Sequence, residues 1–153
     1  MLKYFHYLRI SKELGVKSIL FNTKHGFGTD MGLLIARLSI GLLMAFSHGL
    51  GKMQKLVSGE PIQFADPIGL GQELSLFLAG TSEFVLSLFL CIGFLTRIVS
   101  IPLAFTMAVA VFVVHANDPF NRMEFGLLYL VPYIMFFFTG AGRFSVDHLI
   151  SSK

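Results

Sequence analysis

The chain has 153 residues, of which 54% are hydrophobic and only 14% charged. Its mean hydropathy is +0.73. A soluble domain carries about 25% charged residues, so too few polar side chains are present to coat a water-facing surface, and lipid is the expected solvent. A net charge of +3 without basic runs, and the absence of Gly-rich phosphate loops, exclude nucleic acid as a partner, while the single cysteine, Cys91, excludes an internal disulfide or dithiol site.

The first 30 residues interleave Lys3, Tyr4, Phe5, Tyr7, Arg9, Lys12, Lys17, Phe21 and Lys24, a mixture suited to an interfacial segment on anionic lipid. No cleavable signal peptide is expected, because the first apolar run begins near Met31 and no small-residue cleavage site follows it. That run reads as an uncleaved anchor. Four apolar segments follow, at Met31–Leu50, Leu74–Phe94, Ile98–Ala116 and Met123–Gly140. Each comes close to the roughly 20 residues that a helix needs to cross a bilayer core. A soluble helical bundle would need a polar stripe on every helix, yet Leu74–Phe94 holds one charge, Glu83, and Ile98–Val114 holds none.

Gly93-Phe94-Leu95-Thr96 reads as a tight turn, with glycine ending one helix and Thr96 capping the next. Asn117-Asp118-Pro119 stops the third segment and Gly140-Ala141-Gly142 the fourth. Pro102 and Pro132 fall inside helices, which membrane helices tolerate. The loop Gly51–Glu73 is rich in Gly and Pro but carries Ile62, Phe64, Ile68 and Leu70, so it is expected on the membrane surface or folded over the bundle. The expectation is an all-α, integral membrane four-helix bundle with antiparallel up-down topology. It divides into an N-terminal segment 1–30, a membrane domain 31–147 and a cytoplasmic tail 148–153. Basic residues concentrate on the side of both termini, with Arg97 and Arg143, and the other side carries Lys52, Lys55 and Arg122. Both termini are therefore expected in the cytoplasm.

Charges inside a membrane are costly and need a partner or a purpose. Arg37 lies roughly 9 Å into the first segment at the rise of an α-helix, and Glu83 lies near the middle of the second. The reading pairs Arg37 with Glu83, either as a clamp between helices or as part of a site. Arg37 and His48, eleven residues apart, fall on one helical face, with Lys52 a turn beyond and Gly41 and Ala45 close to the same stripe. His48, Lys52, His115, Glu124 and Glu83 are expected to converge on one outward-facing polar cavity, where histidines and carboxylates pass protons. Each also has a structural explanation: His115 and Glu124 sit at favourable helix ends and Lys52 reaches an interface. No ligand spacing points to a metal. Tyr129 and Tyr133, at i and i+4 on the fourth segment, are candidates for an apolar slot that takes a flat ring such as a quinone. Cys91, among Leu90, Ile92 and Phe94, reads as packing.

Five runs carry a resemblance. Ala36-Arg37-Leu38 through Gly41 to His48-Gly49-Leu50-Gly51-Lys52, Glu83 in the second helix, Gly93-Phe94-Leu95-Thr96-Arg97, Glu124 and Thr139-Gly140-Ala141-Gly142-Arg143-Phe144-Ser145-Val146-Asp147 resemble, in order, the motifs of the DoxX family. Ala141 stands where proline is common. The resemblance covers residues 31–147 and implies a multi-pass protein of the bacterial plasma membrane. It further implies kinship with subunits of thiosulfate:quinone oxidoreductase, and so a quinone-associated redox subunit. In that reading Glu83 and Arg37 hold or protonate the quinone head group, and His48, His115 and Glu124 relay protons. Lys52, Tyr129 and Tyr133 line the binding slot, and electrons come from a redox partner protein or a soluble substrate. The alternatives are a non-enzymatic membrane scaffold or assembly partner, and a small-molecule carrier acting as an oligomer.

Overall fold

The computed structural model of the protein describes residues 26–152. The expected interfacial segment lies almost wholly outside the described residues. Four helices are long and apolar enough to cross a membrane: α1 (Phe27–Val57), α2 (Gln72–Ile92), α3 (Thr96–Val114) and α4 (Phe120–Thr139). A short helix, α5 (Val146–Ser151), follows; it was not expected. The first span is longer than the sequence reading had it at both ends, so the loop after it shortens to residues 58–71.

The distribution of side chains is that of a protein in lipid. Outward faces carry Ile35, Leu42, Leu43, Phe46, Ile101, Phe105, Phe112, Phe125, Leu128, Val131 and Phe138, all exposed. The interior holds Asp30, Arg37, Ser75, Ser82, Glu83, Ser87, Thr96, Ser100, Ser145 and Asp147 beside the apolar cluster of Leu33, Met44, Leu90, Val99, Leu103, Met107, Leu130, Tyr133 and Phe136. Apolar surface gains little by packing inward when the surroundings are equally apolar, and small residues that permit close approach take over. On α1 these are Gly41, Ala45 and Gly49, each buried and spaced i+4. A Cβ on Gly41 would strike the Cys91 thiol and lie 2.9 Å from Ser87 O; on Gly49 it would lie 2.5 Å from Phe84 N and 2.6 Å from Glu83 C. Further along, a Cβ on Gly80 would lie 3.3 Å from Lys52 Cβ. Contacts thus fall in number along α2 as they rise along α1.

One end of the bundle is tied by a polar knot. Arg37 is fully buried and donates to Cys91 O (2.9 Å), Leu90 O (3.2 Å) and Phe144 O (2.7 Å), joining the end of α2 to the segment before α5. Asp147 accepts from Leu95 N (2.7 Å) and Thr96 N (2.9 Å), which are free donors at the start of α3. This corrects the expectation that Thr96 caps α3: the cap arrives from residue 147, and Thr96 is already inside the helix. Gly93 has φ +68°, and a Cβ there would lie 2.5 Å from Arg37 Nη1, so the turn admits only glycine. Asp30, also fully buried, accepts from Arg143 N (2.9 Å).

Three of the spans contain a wide π turn: Ala45–Gly49 in α1, Thr81–Leu86 in α2 and Ala110–Val114 in α3. Such turns occur mostly as single insertions and often at functional sites. Here the first contains His48, the second contains Glu83 and the third ends beside His115.

Candidate functional site

Glu83 is 4% exposed. Its π turn is pressed against Gly49, and its carboxylate pairs with the ammonium of Lys52. The expected Arg37–Glu83 pair does not form. Arg37 is committed to carbonyls at the other end of α2, about two turns away from Glu83 along the helix, and Lys52 supplies the counter-charge instead. A buried charge needs such a partner, and the one found sits on the neighbouring helix just past the small-residue stripe.

The pair lines a cleft of about 520 Å³ between α2 and α3. Its apolar walls are Leu78, Ala79, Leu86, Pro102, Phe105, Val109, Ala110 and Val114. Polar groups converge on it from several elements: Lys52, Ser75, Thr81, Ser82, Glu83, Thr106 and His115. Thr106 donates to Pro102 O (2.8 Å), and its hydroxyl oxygen is 3.0 Å from Ser82 Oγ. His115 stands at the end of α3 with Nδ1 2.8 Å from Asp118 Oδ2. An apolar concavity with a few placed polar groups is the usual form of a small-molecule site.

The loop after α1 roofs this cleft with Phe64, Ala65, Pro67 and Ile68. Folding over the bundle, one of the two placements expected for it, agrees with this lining. Asp66 pins the roof, accepting from Leu70 N (2.8 Å), Gly71 N (2.8 Å) and Ser75 Oγ (2.9 Å). These bonds, foremost that from Gly71 N, hold the Asp66 carboxyl below its usual range. Gly69 and Gly71, with φ +74° and +90°, make the tight return into α2.

The remaining candidates do not join the cleft. His48 is exposed and sets its ring edge-on to Tyr129, 5.6 Å between centroids. Tyr129 stacks with Tyr133 at 6.4 Å, forming a separate cluster between α1 and α4. Glu124 is exposed near the start of α4 and does not line the cleft. The expectation of one cavity holding all five polar residues is therefore corrected to Glu83, Lys52 and His115. Ser75, Ser82, Thr106 and the roof residues were not anticipated; the apolar character of the loop was the one signal available. Among the described residues, no group of three or more His, Cys, Asp or Glu side chains is arranged to hold a metal ion.

Four apolar spans around a buried polar interior define a multi-pass membrane protein. The DoxX family model matches residues 32–116, and the chain belongs to that family. A Bacillus subtilis (strain 168) protein named "Putative oxidoreductase CatD" is 30% identical over 122 residues, 79% of this chain and 88% of that one. Two Haemophilus influenzae proteins of uncharacterised function are each 30% identical, over 132 and 117 residues, covering 82% and 72% of this chain and 87% and 84% of theirs. No solved structure matches.

Proposed function

We propose that the protein is a quinone-associated redox subunit of the bacterial plasma membrane and that the roofed cleft between α2 and α3 is its quinone site. The observation that carries this reading is the half-buried Lys52–Glu83 pair on the wall of a largely apolar slot. A quinone supplies two-electron acceptor chemistry when bound. Lys52 would donate a hydrogen bond to a ring carbonyl, and the Glu83 carboxylate, after taking a proton from water, would pass it to such an oxygen. His115, on the rim with Asp118 behind it, exchanges protons with water. Leu78, Leu86, Phe105 and Val109 would supply the apolar walls for the ring and tail. Electrons come from a redox partner protein or a soluble reductant. The name of the Bacillus relative supports an oxidoreductase role. The topology that accompanies this reading is antiparallel, with both termini cytoplasmic and the cleft opening to the outer side. The opposed order of contacts along α1 and α2 and the placing of Arg97 and Arg143 at the knotted end support it.

The test is mass spectrometry of an organic extract from protein purified in mild detergent. A stoichiometric quinone that is lost from Glu83→Ala is the expected result. No quinone in either sample, together with no quinone-dependent change in melting temperature on addition, overturns the reading and turns attention to a scaffold role.

A further inference from the structure

A second polar feature lies away from the cleft, on the outward side of α1. Ser47 and His48 are both exposed. Two neighbouring spans fix their depth. His48 sets its ring against Tyr129, at the middle of α4, and the next residue, Gly49, is pressed against Glu83, near the middle of α2. Both polar side chains therefore stand at mid-membrane, on a surface that also carries Leu42, Leu43 and Phe46. Among the described residues neither finds a hydrogen-bond partner. Lipid tails offer none, and an ionisable group at this depth is expected to face a bundle interior or a partner.

The polar character continues along the helix. Gly51 and Gln54, four and seven residues beyond Ser47, are exposed too. Gly41 and Gly49 are explained by their contact with α2, whereas a Cβ on Gly51 would meet nothing within 4 Å. Glycine weakens a helix interior, and no contact among the described residues accounts for this one. In membranes, small residues let a second helix approach closely, and Ser, Gln and His side chains hydrogen-bond across the gap.

The chemistry of this face selects its occupant. A second copy inserted in the same sense is related by a two-fold axis along the bilayer normal, which brings each residue opposite its counterpart at the same depth. The face must then be complementary to itself. Serine, glutamine and neutral histidine each carry both a donor and an acceptor, so each can bond its own kind. Like charges do not meet there, because the two lysines of this stretch turn elsewhere: Lys52 to Glu83 and Lys55 to Gln63 O. We propose that the protein forms a two-fold dimer in the membrane through this face of α1, with Ser47 and His48 at its centre and Gln54 toward its outer end. None of these residues lines the cleft, and the dimer does not depend on the quinone reading.

The test is cysteine crosslinking of the full chain in native membranes. The native thiol, Cys91, is buried, so the wild-type chain serves as a blank. Under copper phenanthroline, Ser47→Cys is expected to run at twice the chain mass, whereas Ile101→Cys, exposed on α3, stays monomeric. No dimer from Ser47→Cys, or equal dimer from both variants, overturns the proposal. An adduct of another mass also overturns it and puts a different protein on the face. Stepwise photobleaching of wild-type chain, dye-labelled at its N-terminal amine and diluted in liposomes, gives a readout without substitution. Pairs are expected; single chains at every dilution overturn the proposal and leave lipid on the face. His48→Leu removes a bond on each side of the axis and is expected to raise the dissociation constant about tenfold. An unchanged constant in a normally melting variant overturns the place given to His48.

Discussion

Replacing Arg37 by methionine separates a structural arginine from a chemical one. Methionine keeps the length of the side chain but removes the donors that reach Cys91 O, Leu90 O and Phe144 O. Leu90 O retains the backbone donor Gly93 N at 3.0 Å, so the loss falls mainly on the other two carbonyls. Stranding two buried acceptors of a charged donor costs about 3–4 kcal/mol, after allowing for the desolvation that the absent charge no longer demands. By the scaling of soluble domains of this size, that is a fall of roughly 10 °C in melting temperature. The chain carries its own probe: Cys91, its single cysteine, is buried, so a thiol-reactive dye reports unfolding in detergent. Once the lower stability is allowed for by measuring well below the transition, ligand retention by the folded fraction is expected to be unchanged. A variant that melts with the wild type but no longer holds its ligand refutes this placement and returns Arg37 to the site.

Two other perturbations address the cleft. Lys52→Met leaves Glu83 buried without its counter-charge and is expected to cost roughly 2–3 kcal/mol, less than a fully buried pair because Lys52 keeps some exposure. Adding Glu83→Gln should recover most of that loss, and thermal unfolding of the single and double variants measures the coupling; purely additive losses contradict the pair. Asp66→Asn should free the roof. Because folding lowers the Asp66 pKa, its contribution is present above the ordinary aspartate range and is lost as pH falls through the lowered value. Amide exchange at Leu70 and Gly71 should therefore stay slow at neutral pH in the wild type, rise only in strong acid, and be fast at every pH in the variant. Identical exchange in both proteins contradicts the latch.

Much of the fold was legible because apolar length alone identifies spans, and glycine and proline mark their ends. The positions of Gly93, Pro119 and Gly140 agree with the helix ends seen. Glu83 was legible for the same reason: no helix end explains a charge at that depth. The shared face of Arg37 and His48 was not. Counting eleven residues as three turns assumes an unbroken α-helix, and the π turn Ala45–Gly49 intervenes. Each residue of the wider turn advances less around the axis, so the phase set by Arg37 no longer applies at His48. Arg37 is consequently buried in the knot while His48 points out beside Tyr129. Nor does any local pattern connect residues 147 and 96, or 106 and 82; these pairings exist only once the helices have packed.

The roof of the cleft and its walls answer to different surroundings. Residues on α2 and α3 must suit lipid on one side of the helix as well as the cleft on the other, so few exchanges are open to them. Phe64, Ala65, Pro67 and Ile68 belong to a segment between spans, anchored chiefly through Asp66 and its glycine return. Changes there can reshape the ceiling while the helices and their polar pair stay as they are. On the quinone reading, selectivity can drift by loop replacement alone, with the membrane-embedded pair kept as it is.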